Sequence, residues 1–120
     1  MNRFTPLILL SILLSLATTS CTKKEPTSSD PAVLSAEKLR SRGQQVYMSN
    51  CTSCHNANAK LDGPVGPAVA GSSLELLKAR VLTKGYPAGY KPKRATGVMP
   101  ALPHLAPEVE ALAEYLNNLE

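Results

Sequence analysis

Cys51, Cys54 and His55 stand in the run Cys51-Thr52-Ser53-Cys54-His55, which has the spacing C-x-x-C-H. Two thiols separated by two residues can each form a thioether to one of the two vinyl groups on a haem edge. The next residue, His55, then lies beneath the iron and offers an imidazole nitrogen as the proximal axial ligand. Sulfur binds haem carbon while histidine binds iron, so the three side chains do not compete for one metal. The same residues also admit a zinc half-site or a dithiol redox pair. A zinc site would recruit Cys51, Cys54, His55 and His104, but structural zinc ligands are usually spaced more widely than the adjacent Cys54 and His55. A dithiol pair would sit beside a strand in a βαβ pattern, and no such strand is legible.

The sixth iron ligand has three candidates, Met48, Met99 and His104. Met48 comes three residues before Cys51, too near the proximal side to reach the opposite face, and reads as core filler. Met99 lies in the loop-like run Thr96-Gly97-Val98-Met99-Pro100, forty-four residues beyond His55, where a chain can wrap over the far face of a porphyrin. His104 reads as a solvent-facing or capping residue; it and an open site are the alternatives to Met99. A Met/His pair raises the reduction potential and leaves no vacant position for a substrate.

The first residues read as a targeting segment. Arg3 is followed by an apolar run from Leu7 to Ala17, well short of the ~20 residues that span a bilayer. Thr18, Thr19 and Ser20 then lead to Cys21, a run that resembles the lipobox of bacterial lipoproteins, with Thr18 where that family usually has leucine. The resemblance implies removal of residues 1–20 and lipidation of Cys21. If Cys21 is not lipidated, the expectation is a soluble periplasmic protein. Residues 21–33 carry two prolines and no periodic apolar face, the composition of a flexible tether. Its reach is about 20 Å as a coil and at most ~45 Å extended.

Residues 34–120 remain as one small domain, a size at which an apolar cofactor strengthens a thin core. Ser35 is a plausible N-cap for a helix from Ala36 to about Asn50, with Leu39, Gly43, Val46 and Tyr47 on one face. A second helix is expected from Ser72, with Glu75 in capping-box spacing, through Leu74, Leu77 and Val81 to about Thr83. A third opens with Pro107 at its first position and Glu108 and Glu110 in its first turns. Its apolar face is Val109, Leu112, Ala113, Leu116 and Leu119. Turn residues mark Gly63–Pro67 and Tyr86–Pro92 as loops, so the fold class is all-α with long loops.

In this order the motifs resemble the class I c-type cytochromes over essentially all of residues 34–120. The matching runs are Tyr47-x-x-x-Cys51-x-x-Cys54-His55, Gly66-Pro67-x-x-x-Gly71, Met99-Pro100 and Ala113-x-Tyr115-Leu116. The resemblance implies a small helical domain wrapped around one covalent haem c, with Met99 as distal ligand. It implies that Gly43 and Tyr47 meet Leu112, Tyr115 and Leu116. It also implies that the Pro67 carbonyl accepts the ring N–H of His55. Asn56 stands where a glycine often follows the histidine.

The formal charge is +4; without residues 1–20 it is +3, from 12 Lys and Arg against 9 Asp and Glu. Lys84, Lys91, Lys93 and Arg94 precede Met99 as a solvated loop, as partners for the haem propionates, or as a rim that steers an acidic redox partner. Tyr86 and Tyr90 are further candidates to donate to a propionate. A modest charge and no binding motif argue against nucleic acid. The expectation is an electron carrier, not an enzyme, exported and membrane-tethered through Cys21. It would face the periplasm or cell exterior, as a monomer or as a subunit of a respiratory complex. The alternatives are a haem protein with a labile sixth ligand, in gas sensing or peroxidase-like chemistry, and a permanent cytochrome subunit of a dehydrogenase.

Overall fold

The computed structural model describes residues 31–95 and 97–119. The apolar leader, Cys21 and most of the tether lie outside the described residues. Among those described, every regular element is helical: α1 (Pro31–Asn50), α2 (Leu74–Leu77) continuing into a π turn (Lys78–Leu82), a 3-10 turn (Pro103–Glu108), and α3 (Val109–Asn117). None is long and apolar enough to cross a membrane.

Helix α1 starts at Pro31, so Ser35 is inside it and residues 31–33, read as tether, belong to the helix. Proline is at home in a first turn because its missing N–H would have no intrahelical acceptor there. The α1 face holding Gly43, Val46 and Tyr47 is buried, whereas Leu39 (41 % exposed) and Met48 (47 % exposed) face outward. Met48 is therefore not core filler, and Leu39 falls outside the buried stripe.

Helix α3 packs across α1 at a close crossing. A Cβ built on Gly43 would lie 1.9 Å from the Ala111 carbonyl oxygen and 2.8 Å from Tyr115 Cβ, so only glycine permits this approach. Around the crossing Tyr47, Val109, Leu112 and Leu116 are the largest fully buried side chains. The rings of Tyr47 and Tyr115 lie 5.6 Å apart at 46°. Arg42 on α1 pairs with the Glu108 carboxylate, its Nε donating to Oε2 at 2.9 Å. That engagement gives Glu108 a role other than capping: α3 begins at Val109, and Pro107 falls inside the preceding 3-10 turn. Leu119 lies past the end of α3 but still packs on the core.

The N-cap of α2 is Ser73 rather than Ser72: Ser73 Oγ accepts the Leu76 N–H at 3.2 Å. Ser72 instead donates its hydroxyl to the Val69 carbonyl at 2.6 Å, closing the preceding loop. Beyond the π turn, the Leu102 N–H donates to the Val81 carbonyl at 2.6 Å. That bond anchors the segment that carries Met99 against the helix.

Candidate haem pocket

Helix α1 ends by handing its hydrogen bonding to the C-x-x-C-H run. The Cys51 N–H donates to Tyr47 O at 2.9 Å, and the His55 N–H donates to Cys51 O at 2.8 Å. The run is thus a tight turn on a helix end, with Cys51 and Cys54 half-buried free thiols. Burial first, and Cys54 second, push the Cys51 thiol up to about 11, so it stays protonated at neutral pH.

His55 is 8 % exposed, and its Nδ1 lies 2.8 Å from the Pro67 carbonyl oxygen. A carbonyl only accepts, so Nδ1 carries a proton, and in the neutral ring the lone pair is therefore on Nε2. Among the described residues nothing hydrogen-bonds Nε2. The loop holding Pro67 is moulded on the imidazole: a Cβ on Gly66 would lie 2.4 Å from His55 Cε1, and one on Gly63 2.4 Å from the Cys54 carbonyl oxygen. Two glycines let backbone approach where no side chain fits. The buried Tyr47 hydroxyl donates to Asn56 O at 2.6 Å, pinning the chain just past His55. Its phenol is pushed up to about 12, by burial foremost and then by Cys51 and Tyr115.

Tyr47, Cys51, Cys54, His55, Gly66 and Pro67 border one open cavity of about 210 Å³. Cys51, Cys54, His55 and Pro67 line it on one side in sequence, and Val98, Met99, Pro100 and Leu102 come from the run before the 3-10 turn. Leu77, Val81, Leu112 and Leu116 supply apolar lining, and Arg80, Tyr86, Tyr90, Lys93 and Arg94 supply polar groups. Two thiols, an imidazole with a free lone pair, a thioether sulfur and an apolar lining in one cleft fit a covalently held haem. His104 is exposed in the 3-10 turn and Met48 is exposed on α1; neither lines the cavity. Among the described residues no group of three or more His, Cys, Asp or Glu side chains is arranged to hold a bare metal ion, so His104 does not complete a zinc set.

The basic stretch divides in two. Lys93 Nζ donates to Ala68 O at 2.8 Å, and Arg94 reaches Val65 O at 3.0 Å and Asp62 Oδ2 at 3.0 Å. Lys84 and Lys91 are exposed and do not line the cavity. Tyr86 and Tyr90 stack at 5.3 Å, and the Arg80 guanidinium lies 4.7 Å from the Tyr86 ring centroid. Sequence reasoning missed Arg80 and Asp62. Asp62, whose carboxyl is held below its ordinary value by the Ala68 N–H first and Arg94 second, sits in a loop whose partners no periodicity reveals.

The cytochrome c family model matches residues 41–120. A protein of Synechocystis sp. described as cytochrome c-553-like is 26 % identical over 88 residues, covering 73 % of each chain. No solved structure matches. Match, motif and cavity agree: the chain belongs to the cytochrome c family, as a monohaem class I protein that holds haem c covalently and carries electrons rather than catalysing a reaction.

Proposed function

We propose that this protein is a membrane-tethered one-electron carrier in which Cys51 and Cys54 hold the haem through thioethers and His55 and Met99 ligate its iron. Haem supplies the one-electron iron couple; the residues set its environment. The observation that carries the ligation is that His55, with Nδ1–H committed to Pro67 O, and Met99 line the same cleft, while Met48 and His104 do not. A thioether ligand favours the reduced state, and two protein ligands deny the metal to oxygen or peroxide. Apolar side chains around the cleft exclude water, which limits reorganisation when charge changes.

The tether rests on the sequence. An apolar leader followed by Cys21 and a proline-containing linker supports lipidation at Cys21, with the domain facing the periplasm or cell exterior. Two or more acyl chains, at ~0.8 kcal/mol per buried methylene, suffice for stable anchoring. The exposed Lys84 and Lys91 give a redox partner with an acidic surface something to recognise. Fractionation with optical spectroscopy tests the reading. The wild type should sediment with membranes and, when reduced, exclude carbon monoxide, whereas Cys21→Ser should be released with an unchanged spectrum. A wild type that is soluble and lipid-free removes the tether, and one that binds carbon monoxide at once removes the closed sixth position.

A further inference from the structure

We propose that Asp62 and Arg94 form a positioning pair that ties the segment carrying Met99 to the loop that orients His55. One carboxylate touches both. Asp62 Oδ1 accepts the Ala68 N–H at 2.7 Å, and Ala68 directly follows Pro67, whose carbonyl holds the His55 ring at 2.8 Å. Asp62 Oδ2 accepts Arg94 Nη2 at 3.0 Å, and Arg94 lies five residues before Met99. The Arg94 fork also donates through Nη1 to Val65 O at 3.0 Å and to Gly63 O at 3.4 Å. Beside it, Lys93 Nζ donates to Ala68 O at 2.8 Å.

The Lys93 and Arg94 bonds cross between two loops that share no regular structure. With the Leu102 N–H on Val81 O, they tie both ends of the segment that carries Met99 to the rest of the domain. Arg94 suits the task because its planar guanidinium meets three acceptors at once, which a lysine ammonium cannot do in a fixed geometry. Neither Asp62 nor Arg94 need touch the iron ligands. They act through Pro67 on one side and through the chain leading to Met99 on the other. The clasp is largely exposed, with side chains 63 % and 31 % accessible, so its strength falls with added salt.

This inference rests on Met99 being the sixth ligand. Carbon monoxide binds reduced protein only while that ligand is off, so its association rate reads the open population. Arg94→Gln and Asp62→Asn should each accelerate binding roughly fivefold, the scale of an exposed ion pair. The double variant should be no faster than the faster single, because both changes break the same clasp. Both should also shift the near-infrared sulfur-to-iron band of the oxidised protein, which reports how the sulfur is held in the closed state and which a purely structural change elsewhere would leave intact. Met99→Ala should accelerate binding far more, and adding Arg94→Gln to it should change nothing further.

If Met99→Ala accelerates binding while both clasp variants keep the wild-type rate and band, the positioning pair is overturned and the ligand stands. If Met99→Ala leaves the rate unchanged, the ligand reading falls and the pair falls with it. Should a clasp variant fail to load haem, wild type across a salt series decides. Carbon monoxide is uncharged, so a rate that climbs with ionic strength supports the clasp and a flat one overturns it.

Discussion

Gly43→Ala should destabilise the protein although alanine is the better helix former. The substitution gains about 1 kcal/mol of helix propensity. Against that, the new Cβ would start 1.9 Å from the Ala111 carbonyl oxygen, 2.5 Å from its carbon and 2.8 Å from Tyr115 Cβ. Two of these are backbone atoms, which cannot swing aside, so α1 and α3 must move apart by about 1 Å before the nearest contact reaches even a tight van der Waals distance. The crossing buries Tyr47, Leu112 and Leu116 to 2 % exposure or less, so the separation loosens the best-packed part of the core. Overpacking of this kind costs about 3 kcal/mol or more, leaving a net loss of about 2–3 kcal/mol. For a domain of this size that lowers the melting temperature by about 10 °C or more. Thermal unfolding of the haem-loaded protein by far-ultraviolet circular dichroism measures it, with Gln44→Ala on the exposed face of α1 as a neutral control. A Gly43→Ala protein as stable as that control would refute the close crossing.

Cys51→Ala or Cys54→Ala should each reduce the haem retained after acid–acetone extraction, and the double variant should retain none, measured by pyridine haemochrome absorbance. Tyr47→Phe removes the bond to Asn56 O and should cost about 1 kcal/mol in denaturant unfolding. Because the folded-state phenol of Tyr47 is raised from 10.0 to about 12, its stabilisation is complete below pH 10 and lost as pH rises through about 12. The phenylalanine variant should therefore lose less stability than wild type over that interval. Asp62 and Glu108 are shifted the other way, by the Ala68 N–H and Arg94 and by the Arg42 hydrogen bond respectively. Their contribution is present above their ordinary 3.8 and 4.5 and lost as pH falls through the lower folded values, so Glu108→Gln should flatten the acid limb of a melting-temperature profile.

The sequence signals that worked were those confined to a few contiguous residues or to one helix face. C-x-x-C-H needs only a local turn to bring Cys51, Cys54 and His55 to one wall, and Gly43 with Tyr47 already marked the α1 stripe that meets α3. Helix starts were less legible. Ser72 and Ser73 are the same residue type one step apart, and only the loop bond from Ser72 to Val69 decides which of them caps α2. Pro107 carried a valid start signal, but Pro103 opens a 3-10 turn first and Glu108 is engaged by Arg42. The chemistry of Met48 suits a core, yet its register on α1 turns it outward. The Asp62–Arg94 contact joins loops 32 positions apart, where no periodicity announces a partner.

The near-infrared spectrum of the oxidised protein, taken for wild type and for Met99→Ala, tests the central claim that His55 and Met99 close the two axial positions. The account predicts a weak sulfur-to-iron charge-transfer band in wild type that disappears in the variant, with His104→Ala leaving it untouched. A wild-type spectrum without the band, or a band that survives Met99→Ala, would contradict it.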